Sequence, residues 1–336
     1  MDTITHALFG AVCAAALQRS SSPGSTDLAR RMAITGTAAA FPDIDYLGFW
    51  VDPLLFLADW HRSLTHSLLL VPLWAALLTL CSLPWQWARE HWRSVYALCC
   101  LGLLSHLPLD LLTPFGIKLF YPLATTPYSL AISFFIDGYF TAIVVVTLLL
   151  LLWHPPRRVA LSGLLILSGY LSGQWLLKSE ALQVAAEQFP QSKDLHALPQ
   201  PFSPFYWQLI KRHQEHYQVA YLSLTAERQA IIKDYRGASN LDWKTYQPPG
   251  DQARQTPLVQ IAWQHERLQK FREFAHFPIL YRLDRYQDET CIWFTDLRYT
   301  LPYLTPPFRY GMCHDQQQQW KTYRLKRFTT AERQPL

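Results

Sequence analysis

The chain has 336 residues, half of them hydrophobic and only 16% charged, with 30 basic against 25 acidic side chains. That is too apolar for an average soluble domain, and too weakly basic, with its acids interspersed, for a nucleic-acid-binding protein. The composition points to a membrane protein with an attached domain, and no nucleic-acid partner is expected.

The first apolar segment, Ile4 to Leu17, follows Asp2 and carries His6 near its start. No basic stretch precedes it, so it reads as part of the mature protein and not as a cleaved signal. A second short segment, Met32 to Phe41, runs into Phe41-Pro42-Asp43-Ile44-Asp45. Both segments are rich in Ala and Gly and suit half-depth helices that pack closely. If the Pro-Asp turn is extended, Asp43 and Asp45 share a face.

Five stretches then lack any Asp, Glu, Lys or Arg: Ser63 to Ala88, Ser94 to Leu109, Leu119 to Ile136, Gly138 to Pro156 and Val159 to Leu177. At ~1.5 Å per helical residue they reach across a hydrocarbon core of ~30 Å, the shorter ones marginally. The front half, 1–177, is therefore expected to be an all-α multi-helix transmembrane bundle. With alternating helices, Arg19, Arg30, Arg31, Arg89, Arg93, Arg157 and Arg158 fall on one membrane face. Asp2, Asp43, Asp45, Asp52, Asp59, Asp110 and Asp137 fall on the other, with Arg62 and Lys118 as exceptions among the basic residues. Basic loops stay cytoplasmic, so the acid-and-histidine end and the following domain are expected to be extracytoplasmic.

Beyond Lys178, Pro190, Pro199, Pro201 and Pro204 mark an irregular connection. Tyr217 to Thr225, Ile279 to Tyr286 and Thr290 to Thr295 read as strands, and Ile261 to Phe274 as a helix. Residues 178–336 are thus expected to form a small extramembrane α+β domain with an antiparallel sheet. Cys291 and Cys313 either pair, in an oxidising compartment, or remain buried thiols. Cys13, Cys81, Cys99 and Cys100 lie in apolar runs and read as small hydrophobes.

The chemistry-bearing residues fall at one end of the apolar segments. His6 opens the first, Asp43 and Asp45 follow the second, His61 and His66 precede the third, and His106 and Asp110 close the fourth. His106 and Asp110 are four apart, one turn up the same helical face, with Pro108 between them expected to kink the helix. Imidazoles and carboxylates gathered in this way suit a divalent metal, zinc above all, as one or two ions. His6, Asp43, Asp45, His61, His66, His106 and Asp110 are the candidate ligands. Asp137 interrupts a charge-free stretch, where a carboxylate costs about 2.5 to 3.5 kcal/mol on insertion scales and needs a partner. Asp45 or Asp137 is the expected general base, and Arg62 or Lys118 the group that stabilises an anionic oxygen.

The opening MDTITHALFG, the FPDID turn, WHRSLTHS, SHLPLDLLTPFG, the YPL at Tyr121 to Leu123 and FIDGYF around Asp137 resemble the YdjM-type family of inner-membrane metal-dependent hydrolases, often described as LexA-regulated. These motifs cover about residues 1–140 in the family's order, and Thr3 stands where the family pattern usually has Pro. PFSPFYWQLI and WFTDLRY resemble the extracytoplasmic tail of longer members. The His-x-x-x-Asp-x-x-x-Pro spacing of His106, Asp110 and Pro114 is also similar to zinc-dependent phospholipase C and P1-type nucleases, without their downstream His and Glu ligands. The resemblance implies a multi-pass protein of the bacterial inner membrane that hydrolyses a phosphoester or another small, lipid-like, membrane-proximal substrate. A non-catalytic membrane protein tied together by a metal or a His/Asp network is the alternative. An ion pathway fits less well, because the groups cluster at one end and do not thread the bilayer.

Overall fold

The computed structural model describes residues 1–18, 25–213, 216–225, 234–249, 256–286, 289–302, 304–315, 319–327, 329 and 331–336; Arg19 lies outside them. They group into two compact units. One comprises Met1–Leu47, Asp59–Lys178 and Pro201–Pro204, and the other Gly48–Ala58, Ser179–Gln200 and Phe205–Leu336.

The helices run in chain order as α1 (Thr3–Ala16), α2 (Thr26–Ala40), α3 (Pro53–Leu55), α4 (Val71–Ser82), α5 (Gln86–Glu90), α6 (Trp92–Leu111), α7 (Gly138–Leu150) and α8 (Pro156–Gln188). Their starts are chemically marked. Asp2 accepts from the Thr5 amide at 3.0 Å to cap α1, Ser25 accepts from Leu28 to cap α2, and Asp137 accepts from Tyr139 and Phe140 to cap α7. Each satisfies amides that a helix leaves without an internal partner.

Helices α1, α2 and α6 meet through small residues. A Cβ at Gly36 would lie 2.8 Å from the Ala7 carbonyl oxygen, and one at Gly102 would lie 2.4 Å from the Thr35 carbonyl oxygen. Only hydrogen fits at these crossings, which brings the α2 backbone directly against its neighbours. Around this contact one apolar cluster joins Val12, Phe140, Val144 and Leu167, and another joins Val71, Ala75, Val95 and Leu103.

The expected multi-helix transmembrane bundle is reduced. Among the described residues two helices, Trp92–Leu111 and Pro156–Gln188, are long and apolar enough to cross a membrane. The number rises to three if Pro53–His66 and Leu68–Ser82, bent by 43°, count as one span. Gly138–Leu150 and Thr3–Ala16 are apolar but shorter. The stretch Leu119 to Ile136 is not a helix at all. Pro122 and Pro127 remove backbone donors there, Tyr121-Pro122 is cis, and the chain folds back with Ile117 and Tyr128 exchanging backbone hydrogen bonds. The amides of Leu130 and Ile132 then bond the carbonyls of Leu111 and Leu112. Charge-free composition alone does not distinguish this from a span, because it is blind to backbone donors. The helix carrying Pro108 runs as a single element.

The second unit carries two antiparallel sheets, so the expected α+β domain is instead a two-sheet β domain with short helices. In the first sheet β1 (Leu195–Pro199), β2 (Tyr206–Arg212), β3 (Tyr217–Ser223) and β4 (Lys244–Tyr246) lie in sequence order. The second is a meander of β5 (Pro278–Arg285), β6 (Glu289–Asp296), β7 (Tyr310–Asp315), β8 (Trp320–Leu325) and β9 (Arg333–Pro335). The helical pattern of Ile261 to Phe274 is divided between α9 (Pro257–Gln264), a 3-10 turn at Glu266–Leu268 and α10 (Gln269–Phe274). Phe271 and Phe294 are fully buried, which contributes roughly 1.5 to 3 kcal/mol for each. Cys291 and Cys313 face each other across β6 and β7 and form a disulfide.

Candidate metal centre

Four elements of the first unit converge on one buried cluster: α1, the 3-10 segment Phe41–Trp50 that follows α2, the turn Leu64–His66, and the end of α6. Asp43, His66, His106 and Asp110 each offer a donor atom, all within 4.8 Å of one another. His66 Nε2 lies 3.3 Å from Asp110 Oδ2 and 3.7 Å from Asp43 Oδ1. His106 Nε2 lies 3.4 and 3.8 Å from the same two oxygens. Tetrahedral bonds of about 2.0 to 2.1 Å separate neighbouring donors by roughly 3.3 to 3.4 Å, so these spacings are those of a slightly open four-ligand shell.

The hydrogen bonding leaves the inward atoms available. His106 donates from Nδ1 to the Ala39 carbonyl at 2.6 Å, which points its Nε2 into the cluster as the unprotonated edge. His66 Nδ1 faces Thr65 Oγ1 at 3.0 Å and Asp45 Oδ2 at 3.4 Å, leaving its Nε2 inward as well. Asp110 is divided between its two oxygens. Oδ1 takes the Met1 α-amino group, Arg62 at 2.9 Å and His6 Nε2 at 3.2 Å, while Oδ2 faces the two histidines. His66 Nε2, His106 Nε2 and Asp110 Oδ2 are buried and make no hydrogen bond. Three convergent orphans in a dry site carry a large desolvation penalty unless a cation completes them. The donor set therefore fits a divalent metal.

The remaining predicted residues take other places. Asp43 and Asp45 do not share a face, because the segment is a 3-10 helix and not extended; with three residues per turn, positions two apart diverge. Asp43 turns toward His66 and His106, and its other oxygen accepts from Thr3 Oγ1 at 2.6 Å. Asp45 accepts from His61 Nδ1 at 3.1 Å and from the Arg62 amide at 3.0 Å, outside the four donors. His61 is thus held by Asp45, and His6 stacks on His106 with ring centroids 3.7 Å apart. Lys118 lies 3.6 Å from Asp59. Asp137 is bound to Ser133, to the α7 amides and, through both oxygens, to Tyr170. No contact among the described residues brings it to the cluster.

Burial works to raise the carboxyl pKa of Asp43, but the neighbouring imidazoles of His66 and then His106 outweigh it and hold the group below the usual range. For Asp45 burial is likewise overcome, by His61 first and then His66 and the Arg62 amide. Both stay anionic, as ligation or hydrogen-bonding of a metal-bound histidine requires.

Arg62 adopts a left-handed backbone, φ 57°, which costs a non-glycine residue about 1 to 3 kcal/mol and marks a constrained position. Its guanidinium is buried against Asp110 and donates to Thr113 Oγ1 at 2.6 Å. Thr113, Thr3 and the Ala39 carbonyl are participants that sequence reasoning missed. Only their proximity to the motif ligands hinted at them.

The family model described as YdjM inner membrane protein matches residues 1–181, more than half of the chain and every residue of the cluster. No curated protein and no solved structure matches the chain, so the likeness to zinc-dependent phospholipase C and P1-type nucleases rests on spacing alone.

Proposed function

We propose that this chain, which belongs to the YdjM inner membrane protein family, is a metal-dependent hydrolase acting on a phosphoester or another membrane-proximal, lipid-like substrate. The observation that carries this reading is the set of three buried, unbonded donors, His66 Nε2, His106 Nε2 and Asp110 Oδ2, with Asp43 beside them. Asp43, His66, His106 and Asp110 would hold the ion, and two imidazoles with two carboxylates suit zinc. Such an ion polarises a scissile oxygen and acidifies water.

The chain's own residues supply the rest. Arg62, the Met1 amino group and His6 hold Asp110 in place through one oxygen. Arg62 is buried there between Asp110 and Thr113 and acts as a positioning group for that carboxylate. Asp137 lies on the α7 cap and Tyr170 with no contact to the cluster, so the general base falls to Asp45, which is outside the four donors but borders them, its Oδ2 3.4 Å from His66 Nδ1. Asp43 is the donor residue open to solvent, at 11% side-chain exposure against zero for the other three, and marks the side from which substrate approaches.

The extracytoplasmic placement of the site and of the C-terminal domain is part of the proposal. It is supported by the arginines at 30, 31, 89, 93, 157 and 158 and by the Cys291–Cys313 disulfide, a bond of oxidising compartments.

One observation favours the alternative, a structural metal. Four protein donors close a tetrahedral shell, whereas catalytic zinc sites keep a position open. Metal analysis of the detergent-purified protein followed by a panel of phosphate mono- and diesters, carboxylic esters and amides separates the readings. Stoichiometric metal with turnover that is lost in Asp45→Asn supports the hydrolase. Stoichiometric metal with no turnover on any of these leaves the structural site.

A further inference from the structure

Away from the metal centre, α7 and α8 leave between them a groove of about 560 Å³, within the ~300 to 1,000 Å³ typical of ligand pockets. Its walls are mostly apolar, Val146 and Leu150 from α7 facing Val159 and Ile166 from α8. The two helices touch where a Cβ at Gly163 would lie 2.4 Å from Thr147 Oγ1, and that hydroxyl is already donated to the Ile143 carbonyl. From Leu150 back to Ala142 the groove follows nine residues of helix, about 12 Å. His154 and Arg158 line the end where α7 connects to α8. Both are exposed, and neither side chain has a hydrogen-bond or ion-pair partner among the described residues.

We propose that this groove is a binding site for an anionic phospholipid, one acyl chain lying between α7 and α8 and the headgroup phosphate resting against Arg158 and His154. Charge complementarity selects this occupant. Two neighbouring helices of an inner membrane protein present a chain-shaped apolar slot, and its mouth carries the cationic Arg158, with no acid paired to it among the described residues, beside the imidazole of His154, a hydrogen-bonding group. Arg157, next to Arg158 and also exposed, adds to the same field. A zwitterionic lipid fills the slot equally well but gains less at the mouth, because its net charge is zero. Each basic side chain near an anionic surface contributes about 1 kcal/mol, roughly a fivefold preference.

The test is native mass spectrometry of the full-length protein released from nanodiscs of equimolar phosphatidylglycerol and phosphatidylcholine. The expected result is bound phosphatidylglycerol at roughly fivefold or greater excess over phosphatidylcholine. That excess should fall in Arg158→Ala and His154→Ala and be kept in Arg158→Lys. Ile166→Trp, which fills the slot, should reduce both lipids. Equal retention of the two lipids by the wild type overturns the proposal, as does undiminished selectivity in both alanine variants. Displacement of the lipid by millimolar inorganic phosphate would also overturn it, since the site would then be a plain anion site. Metal content of each variant, expected to match wild type, shows that the fold is intact.

Discussion

His106 Nδ1 donates to the Ala39 carbonyl at 2.6 Å, so the C-terminal turn of α2 fixes the tautomer and aim of a candidate ligand on α6. The two helices come close enough for this bond because Gly102, one turn before His106, has no side chain at the crossing. The candidate metal centre therefore depends on helix packing as much as on its own donors.

Gly102→Ala should uncouple the site without touching a ligand. The added Cβ would meet the Thr35 carbonyl oxygen at 2.4 Å, which is backbone and cannot swing away. Overpacking of this kind costs about 1 to 3 kcal/mol. Thermal unfolding in detergent should shift down and bound metal should fall together. Unchanged values for both would show that the α2–α6 contact is not needed.

His106→Ala and His66→Ala each remove one of four donors, and stoichiometric metal should be lost in either. His6→Ala, outside the four, should retain most of it. If His6→Ala loses metal as completely as His106→Ala, the donor set assigned here is wrong.

Thr3→Val deletes a hydrogen bond from the hydroxyl to Asp43 Oδ2, 2.6 Å long, while keeping the side-chain shape. A bond to a charged acceptor on an exposed edge is worth about 1 kcal/mol, so metal affinity should weaken roughly three- to tenfold, measured by competition with a chromophoric chelator. No change would mean that Thr3 is a bystander.

Acidification should release the metal through the imidazoles. Asp43 and Asp45 have carboxyl pKa values held down, so their stabilising contribution persists from neutral pH to about 4 and is lost only on falling further. Protonated imidazole cannot bind a metal, and free histidine titrates near 6.5. Metal occupancy measured against pH should therefore collapse between about 6 and 4.5. Retention down to pH 3.5 would contradict histidine ligation.

Reduction of Cys291–Cys313 opens a loop spanning 22 positions and should cost the C-terminal domain about 2 to 4 kcal/mol. Thiol alkylation of intact cells, with and without reductant, checks that the bond exists in place. Full labelling of both cysteines without reductant would argue against an extracytoplasmic domain.

The sequence by itself singled out seven candidate donors, because imidazoles and carboxylates beside apolar runs have few inexpensive roles, and local spacing placed His106 and Asp110 on one helical face; the fold gathers four of the seven. It also determined three strands of the C-terminal domain, β3, β5 and β6, through their aromatic and β-branched content. What it left undecided follows from physics that acts across distance. Whether Leu119 to Ile136 crosses a membrane depended on prolines and on carbonyls of α6 that lie far away in the chain. Cys291 and Cys313 are paired by strand register, which no local pattern specifies. The division of labour among the candidate residues was likewise tertiary. Asp45 and Asp43 are chemically identical and two positions apart, and only the turn of a 3-10 helix sends one to the metal centre and the other to His61. Asp137 looked like a base because a buried carboxylate needs a partner, and only the fold showed that its partners are Tyr170, Ser133 and the amides of α7.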